Sequence, residues 1–232
     1  LVGSEMCIRD RGKPLEDIDL IKSYIFQNIE ESDYDEYLTK WGNLITETND
    51  NLMDYLIVYV RANVSYYRNS IKLHNFKSLV ENNFAEYYST DTAQKTLLAF
   101  IDDMSKNVKY YKMISDINAL ESEGLSKKAL SIFGMNNVAD YNHTKALYFK
   151  LLDMRDNNQL SDQEFERILE YAFRFILTFQ SICSRESKQT LSVFVDVQNE
   201  IYKELPKCDN EIDLSQKTFC LLYTSPSPRD TR

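Results

Sequence analysis

The sequence predicts an all-α fold, an irregular multi-helix domain of about nine helices. Three observations predict it. Strand-like alternation never persists beyond a few residues, whereas apolar residues recur at the helical period along most of the chain. Only 5 Gly and 4 Pro punctuate 232 residues, too few for a collagen-like or low-complexity chain. At 43% apolar and 12% aromatic residues the chain can bury a core, which excludes global disorder.

The elements follow in order. A first helix is expected over residues 16–29, where Ile18, Ile21, Ile25 and Ile29 keep one face. A second covers about 34–45, with Ser32 or Asp33 as N-cap and a stripe of Tyr34, Tyr37, Leu38, Trp41, Leu44 and Ile45. A third spans about 51–67 and carries Leu52, Leu56, Tyr59, Val60 and Val64. A fourth and a fifth are expected over 73–88 and 92–114. Ser126 can cap a short helix that ends near Gly134, because glycine readily adopts the left-handed terminating conformation. Helices over 141–154 and 162–183 come next. The latter is the most apolar, with Phe165, Ile168, Leu169, Ala172, Phe173, Ile176, Leu177, Phe179 and Cys183, and is expected to be the central helix. A last helix over 188–205 stops at Pro206. No fixed-period repeat is evident, which argues against a helical solenoid.

Both ends read as foreign. CLLYTSPSPRD at 220–230 back-translates to one strand of a transposon-type sequencing adapter. LVGSEMCIRD at 1–10 is its reverse complement in a shifted frame. Residues 1–11 and 220–232 are therefore expected to be translated adapter and are set aside from fold reasoning. The expected native part, 12–219, is an internal fragment of a longer protein. It divides into 12–31, closing an upstream domain, and 32–219, a helical middle domain. Setting the ends aside removes four basic residues (Arg9, Arg11, Arg229, Arg232) and three acidic ones (Glu5, Asp10, Asp230). The net charge moves from −9 to −10. Cys7 and Cys220 drop out, leaving Cys183 and Cys208.

The acidic balance argues against a surface that coats nucleic acid, since phosphates reward Lys and Arg. Apolar runs such as 55–60 and 175–178 fall far short of the ~18 residues that a bilayer span needs. No membrane partner is expected. Two cysteines without C-x-x-C spacing suit a reducing compartment.

The sharpest local motif is DMRDNNQLSDQE at 153–164, followed by Phe165. Asp153, Asn157, Leu160, Ser161 and Glu164 match positions 1, 5, 8, 9 and 12 of an EF-hand loop. Arg155 stands at position 3, where a cation would meet Ca²⁺, and Asn158 replaces the turn glycine at position 6. The competing reading is a polar turn in which Ser161 and Glu164 form a capping box, and the two failed positions favour it. His74 and His143, the only histidines, have no partners at metal-ligand spacing. A Cys183–His nucleophile pair lacks a supporting local context. The tyrosine pairs Tyr66 and Tyr67, Tyr87 and Tyr88, and Tyr110 and Tyr111 could stack on bases. Without surrounding Arg and Lys they are expected in cores and interfaces. The acidic run at 30–36 reads as a solvated loop and helix start. No phosphate-binding loop or nucleophile elbow appears. On these grounds no catalytic, cofactor-binding or metal-binding residue is assigned.

The opening GKPLEDIDLIKSYIF at 12–26 resembles a segment of the GmrSD-type restriction endonuclease family. There a ParB-like N-terminal domain ends in a pattern close to N-x-T-G-x-x-L-x-x-x-D-L-I-[KR]-N-Y-x-F. Gly12, Leu15, Asp19, Leu20, Ile21, Lys22, Tyr24 and Phe26 match it, and Ser23 departs from it. Residues 37–41 and 51–60 are similar to the family's Trp-bearing helix and the helix after it. Residues 157–194 resemble its late helices, with Phe179 and Gln180 standing where relatives often carry Arg. The resemblance implies a bacterial, cytoplasmic phage-defence enzyme that cuts modified DNA. In it, the ParB-like domain handles a nucleoside triphosphate and an HNH domain uses a divalent metal. Neither catalytic motif occurs here. For this chain the resemblance implies a helical region between those two domains, its partners being the flanking domains of the same parent, with DNA held by them. The first helix is then expected to lose an upstream partner, leaving its apolar face exposed. The alternative is a helical protein-interaction module without enzymatic role.

Overall fold

The structure, a computed structural model, describes residues 16–64, 67–116, 118, 124–139, 141–178, 191–192, 194–196 and 199. Among them it holds eight α-helices, one 3-10 turn and no strand, the all-α fold expected. The helices are α1 (Asp17–Gln27), α2 (Glu31–Glu47), α3 (Leu52–Asn63), α4 (Leu73–Tyr87), α5 (Ala93–Ser115), α6 (Lys127–Val138), α7 (Lys145–Asp156) and α8 (Asp162–Ile176). The 3-10 turn, Asn142–Thr144, leads into α7. No helix of the described residues is long and apolar enough to cross a membrane. The expected last helix lies mostly outside the described residues, as do both expected adapter ends, Cys183 and Cys208.

The chain divides into two compact units. The first takes the residues up to Asn43 together with Ser70–Asp103, and the second takes Leu44–Asn69 with the residues from Met104 onward. The dividing points fall inside α2 and α5, so each of these helices contributes to both units.

In the first unit, Ile21 and Ile25 of α1 are wholly buried, and α1 packs on α4. The apolar face expected to be left open is therefore covered by the unit's own helices. Phe100 of α5 sits at the centre, its ring edge-on to Phe84 at 5.0 Å and to Phe76 at 5.7 Å. Phe26 of α1 meets Tyr34 and Trp41 of α2 at 5.2 and 6.3 Å. Edge-to-face ring pairs of this kind add about 0.5–1.5 kcal/mol beyond the area that they bury.

In the second unit the core is the pair α3 and α7. Seven of the twelve residues are buried in each. Phe149 of α7 meets Tyr59 and Tyr55 of α3 and Tyr110 of α5, at 6.2, 6.3 and 5.5 Å. Helix α8, expected to be central, is instead the sided one. Phe165, Ile168, Leu169, Ala172, Phe173, Phe175 and Ile176 face inward, whereas Gln163, Arg167 and Arg174 are exposed and Leu177, just past its end, is 40% exposed. Gln163, Arg167, Glu170 and Arg174 recur at helical spacing, which makes one polar stripe. Phe179 lies outside the described residues.

Helix ends account for the other departures. Helix α2 begins at Glu31, so Ser32 and Asp33 stand within its first turn rather than capping it. Glu31 and Asp33 there complement the positive end of the helix dipole. Helix α3 stops at Asn63, earlier than expected. Val64 turns extended and the Asn63 amide donates back to the Tyr59 carbonyl at 3.0 Å, a side-chain bond that competes with helix continuation. Helix α6 runs through Gly134 to Val138. In its last turn Asn136 Oδ1 accepts from the buried Thr144 hydroxyl at 2.8 Å. Ser126 caps α6 as expected, accepting from the Ala129 N–H at 3.2 Å.

Three helices end in the same non-glycine Schellman motif. The residue just past each helix cap has positive φ: Asn49 (50°), Ser89 (52°) and Asn158 (55°), and after α2 Asp50 (62°) does too. In each case the residue after it donates five positions back: Asp50 to Ile45, Thr90 to Ala85 and Gln159 to Met154. Asn tolerates the left-handed region because its short polar side chain can bond locally.

Candidate functional site

The segment 153–164 is drawn apart rather than together. Asp153 lies in α7, where its carboxylate accepts from Lys150 Nζ and from Asn157 Nδ2, each at 2.8 Å. Arg155 pairs with Asp162 at 2.7 Å. Asn158 has the positive φ of a turn glycine, but its N–H closes α7 on the Arg155 carbonyl. Ser161 caps α8: its Oγ accepts from the Glu164 N–H at 3.3 Å, and the Glu164 carboxylate accepts from the Ser161 N–H at 3.3 Å. The capping box is thus the arrangement present. Every carboxylate that an EF-hand would aim at Ca²⁺ has another partner.

The other sequence candidates do not converge. His74 is exposed on α4 in the first unit, and His143 is half-buried in the 3-10 turn of the second. Among the described residues no group of three or more His, Cys, Asp or Glu could hold a metal ion. Tyr110 and Tyr111 are buried, as expected of core residues. Tyr88 is half-buried beside Phe84, and Tyr87 is 51% exposed. Tyr67 is half-buried, and Tyr66 lies outside the described residues. The acidic run is exposed at Glu30, Glu31, Asp35 and Glu36, the solvated helix start expected.

What the structure assembles instead is a repeated junction of tyrosine, lysine and aspartate. At the first, Asp54 of α3 accepts from the Tyr111 hydroxyl of α5 at 2.7 Å and from Lys145 Nζ of α7 at 3.0 Å. At the second, Asp156 of α7 accepts from Lys109 Nζ at 2.7 Å and the Tyr110 hydroxyl at 3.1 Å, both from α5. The third lies in the other unit. There Asp102 of α5 accepts from the Tyr37 hydroxyl at 2.8 Å and Lys40 Nζ at 2.6 Å, both from α2. Lys40 also pairs with Glu36 at 2.6 Å and lies 4.2 Å above the Tyr37 ring.

The physical logic is the same at each. A tyrosine buries its ring and needs a partner for its hydroxyl. A carboxylate supplies that partner, and a lysine offsets the carboxylate's charge. Burial and then the Asp54 charge push the Tyr111 phenol well above its usual range. Burial, the Asp102 hydrogen bond and the Asp102 charge raise Tyr37 to about 12. These phenols are proton donors held in place, not groups poised to ionise.

Of the three, the Asp54 junction has further chemistry around it. Lys145 and Ser115 also line a cavity of about 180 Å³, with Asn136, Asn137, Tyr141 and Asn142. Burial lowers Arg61, and burial with the Arg61 charge lowers His143. The cavity offers amides, hydroxyls and one ammonium but no paired acid and base. A second cavity of about 530 Å³ is apolar, lined by Met135 and Val138 of α6, Phe173 of α8 and Leu177 just past its end.

Comparison of the chain with protein-family models, curated proteins and solved structures finds no match. The site is therefore read from its own geometry. Sequence reasoning passed over all three junctions. The signal within reach was the Tyr37-x-x-Lys40 spacing, which puts a phenol and an ammonium on one helix face.

Proposed function

We propose that this chain is the non-catalytic helical middle region of a modification-dependent, phage-defence DNA endonuclease of the GmrSD type. In this reading it links a nucleotide-handling ParB-like domain to an HNH nuclease domain in the bacterial cytoplasm. The observation that carries the reading is the use made of the polar groups: Asp54, Asp102 and Asp156 are each engaged by a lysine and a tyrosine that tie helices to one another. A chain whose partly exposed carboxylates Asp54, Asp102 and Asp156 join helix to helix is suited to positioning other domains.

The family-like segment on α1 supports it. Asp19 accepts from the Glu16 N–H at 3.3 Å, Ile21 is wholly buried, Tyr24 packs edge-on to Phe76 at 6.1 Å and Phe26 packs on Trp41. Each of these motif residues seats the helix. A net charge of −10 for residues 12–219 repels a duplex, so DNA, nucleoside triphosphate and metal would be held by the flanking domains.

Extending the reading frame tests this. Upstream it should encode the Gln-Arg motif of a ParB-like domain and downstream the His-Asn-His residues. The purified parent should then cut modified DNA with a nucleoside triphosphate and Mg²⁺, whereas residues 12–219 alone should not. A parent with neither motif overturns the proposal. The second reading, a helical interaction module without enzymatic role, rests on the apolar groove of α6 and α8, where Val138 is 91% and Met135 46% exposed. It requires a parent without catalytic motifs, and a partner that is lost on Val138→Glu while the helical circular dichroism is kept.

A further inference from the structure

We draw no further inference here: the strongest candidate, the apolar groove between α6 and α8 lined by Met135, Val138, Phe173 and Leu177, carries nothing because nothing in the structure shows what covers it.

Discussion

The Tyr37–Lys40–Asp102 and Tyr111–Lys145–Asp54 junctions are built from the same three side chains and differ in how they are assembled. In the first, the tyrosine and lysine are neighbours on α2 and reach one acid on α5, and Lys40 has a second carboxylate in Glu36. In the second, each group comes from a different helix and Asp54 is the point where the three meet. Lys145 is also the more enclosed lysine, with 18% of its side chain exposed against 29% for Lys40. The difference teaches that one chemical unit can be a redundant surface clasp or a keystone, depending on how many elements depend on its acid.

The largest expected effect follows directly. Asp54→Ala leaves the Tyr111 hydroxyl and the Lys145 ammonium without their shared acceptor, at a cost of about 2–3 kcal/mol. Asp102→Ala also takes the acceptor from the Tyr37 hydroxyl but leaves Lys40 with Glu36, and should cost less, about 1–2 kcal/mol. Urea denaturation followed by far-ultraviolet circular dichroism measures both. The sole tryptophan, Trp41, gives a fluorescence signal from the first unit alone. Equal costs for the two substitutions would break the distinction between clasp and keystone.

A smaller effect sharpens it by testing a local device against these distant ones. Ser161→Ala removes one cap from α8 and should cost about 1 kcal/mol. The same loss should appear with and without millimolar Ca²⁺, and calorimetric titration of the unsubstituted protein with Ca²⁺ should give no binding heat. A Ca²⁺-dependent loss would mean that the loop gathers ligands after all.

The two tests also separate what was legible in the sequence from what was not. The helices were legible because their signal is local: Ile21, Ile25 and Ile29 show their common face within nine residues. The Ser161–Glu164 box was legible for the same reason. The junctions were not, because Asp54 lies 57 residues from Tyr111 and 91 from Lys145, and no local pattern joins them. Gly134 does not end α6, because a helix glycine permits a stop without compelling one. The bond between Asn136 and Thr144, eight residues apart, ties the last turn of α6 to the 3-10 turn that follows it. Helix α8 is rich in apolar residues, but the polar stripe from Gln163 to Arg174 gives it an outward face and excludes a central place. The sequence could have yielded that stripe.

Below these effects comes a stabilising substitution on the helix that carries the first junction. Gly42 lies in α2 next to the buried Trp41, is exposed, and a Cβ built on it meets nothing within 4 Å. Packing therefore gives no reason for glycine there. Gly42→Ala should raise stability by about 0.5–1 kcal/mol, through helix propensity and a less mobile unfolded chain. Trp41 fluorescence in urea reads it, and a loss of stability would show that α2 needs the glycine.

The smallest effect concerns pH and again sets the units apart. His143, in the second unit, has its pKa lowered by burial and by Arg61. The unfolded chain, with an ordinary histidine near 6.5, binds the proton more readily than the fold does. Its contribution is thus fully present above the unfolded pKa and is lost as pH falls through about 6.5 toward the lower folded value. Beyond that value the loss stops growing. Between pH 7.5 and 5.5 the urea midpoint should therefore fall slightly for the unsubstituted protein, and more gently for His143→Gln. Titration of the His143 ring protons by nuclear magnetic resonance should give a midpoint below that of a denatured control. A midpoint at or above the control, with unchanged slopes in the variant, would remove the acid sensitivity assigned to the second unit.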